Sequence, residues 1–373
     1  MSTIKVLHVI ARMNVGGTAR YVGDLLENIP QSALATGYVQ EAEIEDPRVN
    51  DLPAYRIKHL GRKISPLNDF KAWLELRSLI RELKPEIVHT HTFKAGLIGR
   101  LVGGSHERVH TFHGHLFGDK SFSSLEKLFI TSIEKYLASR TDLLISVGER
   151  VGEELRTKGI GTRKKWISIP PGVHPLSLID RHEARESLGL NQEGLIVGWM
   201  ARMTSVKNPH LMLEVARLLP DVQFAMAGGG DLLEQVRAEA PLNVRVIGWV
   251  DSSVFWSAVD VAFSTSDNEG MPIALIEAML AELPVVATDV GSNSEIIENE
   301  VNGFVTDNKV EALTTAIRHL LADQSLLSKS IKSNIRTKIK EYSISRLVLK
   351  HEFWYKTLQD EKFNKQRTTS SNF

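Results

Sequence analysis

The chain contains no cysteine. Disulfide bonds, thiolate nucleophiles and cysteine-based metal sites are therefore excluded, although this absence does not indicate a compartment. Net charge is also absent, because 45 Lys and Arg residues balance 45 Asp and Glu residues. No overall field therefore favours nucleic acid as a partner. No apolar run approaches the roughly 20 residues that a membrane-spanning helix needs.

Several short catalytic motifs are missing as well. The chain has no Asp-x-Asp pair for a metal-bound diphosphate, no His-Glu-x-x-His and no Gly-x-Ser-x-Gly. The last two would indicate a zinc protease and a serine hydrolase. The apolar run 6–10 lacks the length and cleavage site of a signal peptide and predicts a first strand. We expect a cytoplasmic protein that needs no metal and no cofactor.

Short apolar runs alternate with amphipathic stretches along most of the 373 residues. This alternation predicts an α/β protein with parallel sheets covered by helices, and the length favours about two domains. The pattern stops at Ile169-Pro170-Pro171-Gly172-Val173 and then restarts. We predict one doubly wound domain over 1–172 and a second over 173–343. A C-terminal helix, 344–360, and a frayed tail, 361–373, follow. The predicted strands are 6–10, 86–89, 108–112, 142–147, 195–200, 222–227, 244–247, 259–263 and 285–288. The predicted helices of the first domain are 18–29, 66–84, 92–102, 122–139 and 149–158.

Two carboxylates, Glu269 and Glu277, are separated by seven residues. The first follows a predicted strand, and the second lies in an apolar helix whose first position we assign to Pro272. A carboxylate buried there without a polar partner costs several kcal/mol. Because a helix N-terminus favours anions, the pair is suited to an extended, hydroxyl-rich ligand lying across it.

Two cations, Arg202 and Lys207, follow the predicted strand 195–200. At the carboxyl end of a strand they suit a diphosphate and can neutralise the charge that grows on a leaving group. Two solvated surface charges are the alternative, but the nearby carboxylate pair favours a binding role.

Two glycine clusters occupy strand-to-helix turns. Gly16-Gly17 permits a tight turn or a close backbone approach to a ligand, but it lacks the dinucleotide fingerprint. The second cluster, Gly228-Gly229-Gly230, lacks a further glycine at Leu233. It is either a loop passing close to a ligand or only a tight turn.

Histidines end two neighbouring predicted strands of the first domain. His89 and His91 point to the same face of their strand, and His113 ends the strand after it, with His110 and His115 nearby. A metal site is conceivable here, but no carboxylates accompany these histidines. A single histidine that contacts a ligand hydroxyl is favoured.

Together these residues resemble the retaining glycosyltransferases of family 4. The most specific match is 264–297, where Glu269 and Glu277 look like the Glu-x7-Glu motif of the family and 284–291 like the segment after it. The stretches 198–209, 14–19 and 109–115 resemble the phosphate-binding Arg/Lys segment, the N-terminal diglycine loop and a segment of bacterial surface-polysaccharide enzymes. One departure is Ser292, where the family often has a second glycine after Gly291.

The resemblance implies the GT-B fold, in which two Rossmann-like doubly wound domains face each other across a cleft. It implies an acceptor-side first domain, a nucleotide-sugar-binding second domain and a final helix that packs back on the first. Its implied site residues are as follows: Glu269 and His113 for the transferred sugar, Glu277 for the ribose, Arg202 and Lys207 for the diphosphate, and Gly16, Gly17, Gly270 and Met271 for close backbone contacts to the donor.

The expected activity is transfer of a sugar from a nucleotide-sugar, with UDP favoured, to a hydroxyl with retained configuration. The acceptor would be a glycan or a lipid-linked sugar in polysaccharide or glycoconjugate biosynthesis. Two alternatives remain open: an epimerase of GT-B architecture acting on a substrate such as UDP-N-acetylglucosamine, and a sugar-nucleotide-binding subunit without activity.

The predicted helix 66–84 carries basic residues beside apolar ones. Lys71, Arg77, Arg81 and Lys84 accompany Leu67, Phe70, Leu74, Ile80 and Leu83. Such a helix suits peripheral contact of the first domain with the inner face of a membrane that carries anionic lipid. An ordinary sheet-packing helix with a solvated face is the alternative.

Overall fold

The computed structural model describes residues 5–41, 43–61, 64–114, 123–322 and 339–370. Its contacts divide these residues into two compact units. Among the described residues, the first unit comprises 5–114, 123–172 and 344–370, and the second comprises 173–322 and 339–343. The break falls at the turn-forming Pro170-Pro171-Gly172 segment, and residues 344–370 return to the first unit. None of the described helices combines the length and the hydropathy needed to span a bilayer.

The first unit is a seven-stranded parallel sheet with the strand order β3-β2-β1-β4-β5-β6-β7. Its strands are β1 (Val6–Ile10), β2 (Ser32–Thr36), β3 (Ala54–Arg56), β4 (Ile87–His91), β5 (Glu107–Phe112), β6 (Leu143–Ser146) and β7 (Lys165–Ser168). Its helices are α1 (Gly17–Asn28), α2 (Pro66–Leu83), α3 (Thr92–Gly99), α4 (Ser124–Ser139), α5 (Glu149–Thr157) and α13 (Ile344–Ser370).

Leu7 and Val9 of β1 pack in the same cluster as residues of α2 and α3, whereas Ile10 packs with residues of α1. Because side chains alternate along a strand, helices cover both faces of this sheet.

The second unit has a six-stranded parallel sheet with the order β10-β9-β8-β11-β12-β13. Its strands are β8 (Ile196–Met200), β9 (Gln223–Ala227), β10 (Val244–Gly248), β11 (Val261–Ser264), β12 (Val285–Thr288) and β13 (Gly303–Thr306). Its helices are α6 (Arg181–Ser187), α7 (Pro209–Leu218), α8 (Leu233–Glu239), α9 (Ser252–Ala258), α10 (Ile273–Leu280), α11 (Asn293–Ile296) and α12 (Val310–Ala322). Its core contains fully buried side chains of β8, α7 and β9, such as Trp199, Met212 and Phe224.

Strand order reverses at one place in each sheet, between β1 and β4 and between β8 and β11. Ligands of open parallel sheets bind outside the carboxyl ends of the strands at such a switch point. Gly16 and Gly17 follow β1, Lys207 follows β8, and Glu269 follows β11. The candidate residues therefore lie next to the switch points of their own sheets.

Several elements differ from the expectation. The short strands β2, β3, β7 and β13 have no predicted counterpart, and α10 begins at Ile273, with Pro272 as its N-terminal cap. The predicted frayed tail is wrong for residues 361–370, because α13 continues to Ser370. Within this segment, ion pairs join Glu361 to Lys165 at 2.5 Å and Lys362 to Glu107 at 3.4 Å. Residues 371–373 lie outside the described part.

Candidate active site

Glu269 lies at the centre of a small polar cluster in the second unit. Its Oε1 is 2.5 Å from Lys207 Nζ and accepts a hydrogen bond from Ser266 Oγ at 2.7 Å. Glu269 is 9% exposed, so its negative charge is largely removed from water. The ammonium and hydroxyl partners compensate for this desolvation and fix the carboxylate in one orientation.

The loops that carry this cluster are bonded to each other. Thr265 Oγ1 accepts from Trp199 Nε1 at 3.0 Å and donates to the Asn208 carbonyl at 2.9 Å. Thr288 Oγ1 donates to the Ser266 carbonyl at 2.7 Å. The loops after β8, β11 and β12 thus form one hydrogen-bonded frame, in which the geometry of Glu269 and Lys207 is fixed before a ligand arrives.

Gly291 packs closely against the backbone of the Glu269 loop. Its φ is +52°, and a Cβ on it would lie 2.2 Å from the Glu269 carbonyl oxygen. Ser292 N donates to the Gly270 carbonyl at 2.9 Å. Ser292 itself has φ −97° and ψ 25°, a conformation with a negative φ that does not require glycine. The absence of a second glycine therefore has no steric consequence here.

Glu277 lies on α10 and is 2% exposed. The helix is otherwise apolar, and Met271 before it is buried as well. A carboxylate buried on such a helix requires a polar or charged partner, so its position marks α10 as more than a packing element.

Arg202 and Lys207 follow β8, as predicted, but their surroundings differ. Lys207 is in the Glu269 cluster, whereas Arg202 is exposed.

The glycine cluster after β9 packs on the segment that carries Arg202. A Cβ on Gly228 would lie 2.0 Å from the Ala201 carbonyl oxygen, and a Cβ on Gly230 would lie 2.4 Å from the Met203 carbonyl oxygen. These glycines are thus explained by close backbone packing that shapes the Arg202 loop.

Gly16 and Gly17 begin α1 in the first unit, immediately after the loop that follows β1. Gly16 has φ 153° and ψ 178° and forms the N-terminal cap of α1. A residue with a side chain rarely adopts this backbone conformation. The glycine therefore permits the sharp entry into α1, whose first backbone N–H groups have no partner within the helix.

A cluster of buried rings covers one face of the first sheet. His8 of β1 is in register with His89 of β4, and His91 lies on the same face, with its ring centroid 4.2 Å from that of His89. Helix α13 covers this face with His351 and Tyr355. The sequence predicted the common face of His89 and His91 but not the participation of His8 or α13.

The ring nitrogens of this cluster are bonded to one another and to hydroxyl groups. His91 Nε2 is 3.0 Å from His8 Nδ1, and His91 Nδ1 is 3.0 Å from His113 Nε2. His89 contacts the Tyr355 hydroxyl at 2.5 Å and Thr111 Oγ1 at 2.7 Å. These partners hold the rings in place.

The same cluster supplies the metal candidate that the histidine pattern suggested. Ligand atoms of His8, His89 and His91 lie within 4.8 Å of one another. Both nitrogens of His89 and of His91 are engaged in the contacts above, so a metal ion would have to displace them. The arrangement favours a hydrogen-bonded cluster over a metal site.

Burial keeps these histidines neutral. Desolvation, together with the nearby His351, lowers the pKa of His8 to about 3 and that of His113 to about 3. Desolvation and neighbouring histidines lower the pKa of His89 and of His91 well below the ordinary value. Since a neutral imidazole has one N–H and one lone pair, each ring can donate once and accept once.

Family comparisons cover both units. The model of glycosyltransferase family 4 matches residues 15–175, and that of the group 1 glycosyl transferases matches residues 180–342. The chain belongs to glycosyltransferase family 4. The glycosyltransferase is 27% identical over 360 residues to the UDP-Gal:alpha-D-GlcNAc-diphosphoundecaprenol alpha-1,3-galactosyltransferase of Escherichia coli, covering 90% of this chain and 92% of that one. It is 24% identical to the O-antigen biosynthesis glycosyltransferase WbnH of Escherichia coli, over 74% of this chain and 79% of the relative.

Solved structures show the same fold. The sucrose-phosphate synthase of Thermosynechococcus elongatus aligns with a TM-score of 0.81 at 18% identity, over 96% of this chain and 100% of the synthase chain. HepE of Anabaena, solved with UDP and glucose, aligns with a TM-score of 0.79 at 19% identity, over 96% and 100% of the two chains. The predicted GT-B fold is thereby confirmed, and the family models and the curated relatives confirm the transferase class.

Sequence reasoning missed several residues of these clusters. Ser266 donates a hydrogen bond to Glu269, but the chain has many serines. Its position three residues before Glu269 was the only feature of the sequence that pointed to it. Tyr21 also belongs to the ring cluster, with its ring centroid 4.8 Å from that of His113. His8, Tyr21 and His351 are distant in sequence from the histidine-rich segments, and no local pattern pointed to them.

Proposed function

We propose that the glycosyltransferase transfers a sugar from a UDP-sugar to a hydroxyl of a lipid-linked glycan acceptor, with retention of anomeric configuration and without a metal ion. Its role would be in polysaccharide or glycoconjugate biosynthesis. The observation that carries this proposal is the Glu269–Lys207 pair at 2.5 Å, next to the switch point of the second sheet. The UDP-sugar and lipid-diphosphate substrates named for the Escherichia coli relative support the choice of donor and acceptor.

The proposed reaction assigns each side chain one task. Arg202 and Lys207 bind the diphosphate and neutralise the charge that develops as the sugar departs. Glu269 binds hydroxyls of the sugar, Glu277 binds the ribose, and the backbone of Gly270-Met271 lies against the donor. His113 contacts the transferred sugar. The leaving phosphate takes the acceptor proton on the same face, so no separate general base is needed.

A transfer assay in excess EDTA, with the product anomer determined by NMR, tests the reaction type. We expect full activity without divalent cations and a product with the anomeric configuration of the donor. Strict metal dependence or an inverted product would contradict the proposal. Incubation with UDP-N-acetylglucosamine alone tests the epimerase alternative, which would convert the donor with no acceptor present.

Substitution of the central carboxylate tests the site itself. Glu269→Ala removes the sugar contact but leaves the diphosphate cations, so we expect transfer to fall at least ~100-fold while UDP binding changes only a few-fold. Calorimetry with UDP and initial-rate assays measure the two effects. Full activity would refute the role of Glu269.

The diphosphate role of Lys207 has a matched control. Lys309 also forms an ion pair, with Asp307 at 3.1 Å, but both side chains are exposed, at 70% and 72%. We expect Lys207→Ala to weaken UDP binding about tenfold or more and Lys309→Ala to leave it unchanged. Equal effects of the two substitutions would show that general charge, rather than the site, governs binding.

The first unit supplies a surface for the lipid part of the acceptor. Helix α2 buries Leu76 and Ile80 but exposes other large apolar side chains, and so does α4. The apolar surface comprises Leu67, Phe70 and Leu74 of α2 and Leu125, Leu128, Phe129 and Tyr136 of α4. Helix α3 contacts both helices, so α2 and α4 lie on one side of the unit.

Two further features of this side suit a lipid. Phe70, Trp73 and Leu101 help to line a cavity of about 430 Å³ between α2 and α3. Basic residues, Lys71 and Arg77 on α2 and Lys127 on α4, accompany the apolar ones. Apolar side chains flanked by cations favour the interface of a membrane with anionic lipid. We propose that this surface rests on the inner face of the membrane and receives the lipid-linked acceptor there.

The donor sugar and nucleobase are best identified by screening. A panel of nucleotide sugars is added at fixed concentration, and the melting temperature is recorded, because a ligand that binds only the folded state raises it. We expect UDP-sugars to stabilise the protein more than ADP- or GDP-sugars.

A further inference from the structure

Three histidines of the ring cluster form a continuous chain. His8 lies on β1, His91 ends β4, and His113 follows β5. The two links, His8 Nδ1 to His91 Nε2 and His91 Nδ1 to His113 Nε2, are both 3.0 Å long. His8 and His91 are fully buried, whereas His113 is only half-buried. The histidine chain therefore runs from the interior of the sheet to its carboxyl edge.

Such a chain of neutral rings has only two proton arrangements, because each ring has one N–H and one lone pair. If His8 donates from Nδ1, then His91 donates from Nδ1 and His113 carries its proton on Nδ1. If His8 accepts at Nδ1, every proton moves to the other nitrogen, and His113 carries its proton on Nε2. The inner end of the chain thus determines which nitrogen of His113 is protonated.

His8 Nε2 decides between these arrangements. This atom is buried and has no hydrogen-bond partner among the residues that the structure describes. Buried N–H groups without an acceptor are rarer in proteins than acceptors without a donor. The favoured arrangement leaves a lone pair on His8 Nε2 and places the protons on the three Nδ1 atoms.

We propose that His8 and His91 are positioning residues that hold the His113 ring and fix its proton on Nδ1, so that His113 presents an N–H donor to its ligand. The ligand atom is a hydroxyl oxygen of the transferred sugar, an assignment that rests on the proposed function. Because Nε2 of His113 is taken by His91, Nδ1 is the nitrogen left for the sugar. Loss of the chain would let the ring reorient and its proton exchange between nitrogens.

The neighbouring rings provide a matched control. His351 is buried in the same cluster, but it contacts the Tyr21 hydroxyl at 3.2 Å and the Leu347 carbonyl at 2.9 Å, outside the histidine chain. His351→Phe therefore removes one buried imidazole while leaving the chain intact. His91→Phe removes one buried imidazole and breaks the chain.

Ring ¹⁵N chemical shifts of the full-length protein test the tautomer without any substrate. The His113 signals are assigned by comparison with His113→Gln. We expect the Nδ1–H form in the unmodified protein and in His351→Phe, and a mixture of tautomers in His91→Phe and His8→Phe. An Nε2–H form in the unmodified protein, or an unchanged tautomer in His91→Phe, would overturn the proposal. If His91→Phe does not fold, His91→Gln provides the same comparison.

Kinetics with a nucleotide sugar that the protein turns over test the consequence. We expect kcat to fall about tenfold in His91→Phe with little change in the donor KM, and to stay within about twofold in His351→Phe. Equal losses in both variants would indicate a merely structural role. If no nucleotide sugar is turned over, the proposed function fails, whereas the tautomer measurement still decides the arrangement of the chain. If Zn²⁺ alone strongly stabilised the protein and His8→Phe abolished this effect, these histidines would form a metal site rather than a hydrogen-bonded chain.

Discussion

At the residue scale, the candidate active site depends on one carboxylate held by neighbours of different kinds. Lys207 and Ser266 contact the Glu269 side chain, and Gly291 packs on its carbonyl oxygen. Each of these contacts restricts Glu269 before a donor binds. Preorganisation of this kind lets binding energy act on the transition state rather than on ordering the site.

Gly291 offers a test of this restriction. Alanine at a positive φ costs roughly 1–2 kcal/mol, and overlap of the new Cβ with the Glu269 carbonyl, 2.2 Å away, adds about 1–3 kcal/mol more. We expect Gly291→Ala to lower the free energy of unfolding by the sum of these two costs and to reduce the rate of sugar transfer strongly. Urea titration and initial-rate assays measure the two effects.

Gly189→Ala is the matched control for this substitution. Gly189 also has a positive φ, +63°, but the nearest atom to an added Cβ is Arg245 Nη2 at 3.5 Å. The Gly189→Ala variant should therefore lose only the stability that alanine at a positive φ costs, and it should keep its activity. Similar losses of stability in both variants would show that the close approach to Glu269 is relaxed at little cost.

At the element scale, α4 was predicted only as a helix, yet it exposes an unusual apolar stripe. Leu125, Leu128 and Phe129 have the spacing of one helical face, and such an apolar face normally packs against the core. Here the three side chains are 79%, 64% and 63% exposed. A cluster of large exposed apolar side chains indicates an interaction surface. This supports the membrane contact that the sequence suggested for α2 alone.

Phe129→Ser tests this contact. We expect it to reduce co-sedimentation with liposomes that contain anionic lipid, because apolar area leaves the interface, and to change the melting temperature little. Phe353→Ser on α13 is the control, since Phe353 is equally exposed, at 62%, but lies outside the apolar surface. The membrane proposal would fail if no liposome bound the unmodified protein.

At the scale of the whole molecule, the buried ring cluster couples stability to pH. The folded pKa of His8 and of His113 is lowered to about 3 and that of His351 to about 4, mainly by desolvation. The unfolded chain binds protons near pH 6.5, where the folded protein does not. The stability present above pH 6.5 is therefore lost as the pH falls toward the folded values, by up to about 1.4 kcal/mol per pH unit for each histidine.

Denaturant unfolding at several pH values checks this coupling. We expect the free energy of unfolding to fall steeply between pH 6.5 and pH 5, and His351→Phe to show a shallower slope because one titrating group is gone. A free energy that stays constant from pH 7.5 to pH 5 would be incompatible with neutral buried histidines.

The long alternating runs were sufficient to predict the α/β class, most strands and the break near Gly172. The short strands β2 and β13 were not predicted. Ser32–Thr36 contains few strongly strand-forming residues, and Gly303–Thr306, although it contains Phe, Val and Thr, is only four residues long. They are strands because they pair with β1 and β12. Their order in the sheet, and hence the switch points, depends on the same non-local pairing.

The chain by itself determined which residues are chemically distinctive: Glu269, Glu277, Arg202, Lys207 and the glycine turns. These are local patterns, since residue type and spacing along one strand-to-helix turn are enough to place them. The tertiary structure alone decided which of them meet. Lys207 bonds Glu269 across 62 positions, and His8 reaches His91 across 83. Such partners are set by strand order and register, and these depend on burial summed over the whole sheet rather than on any local pattern.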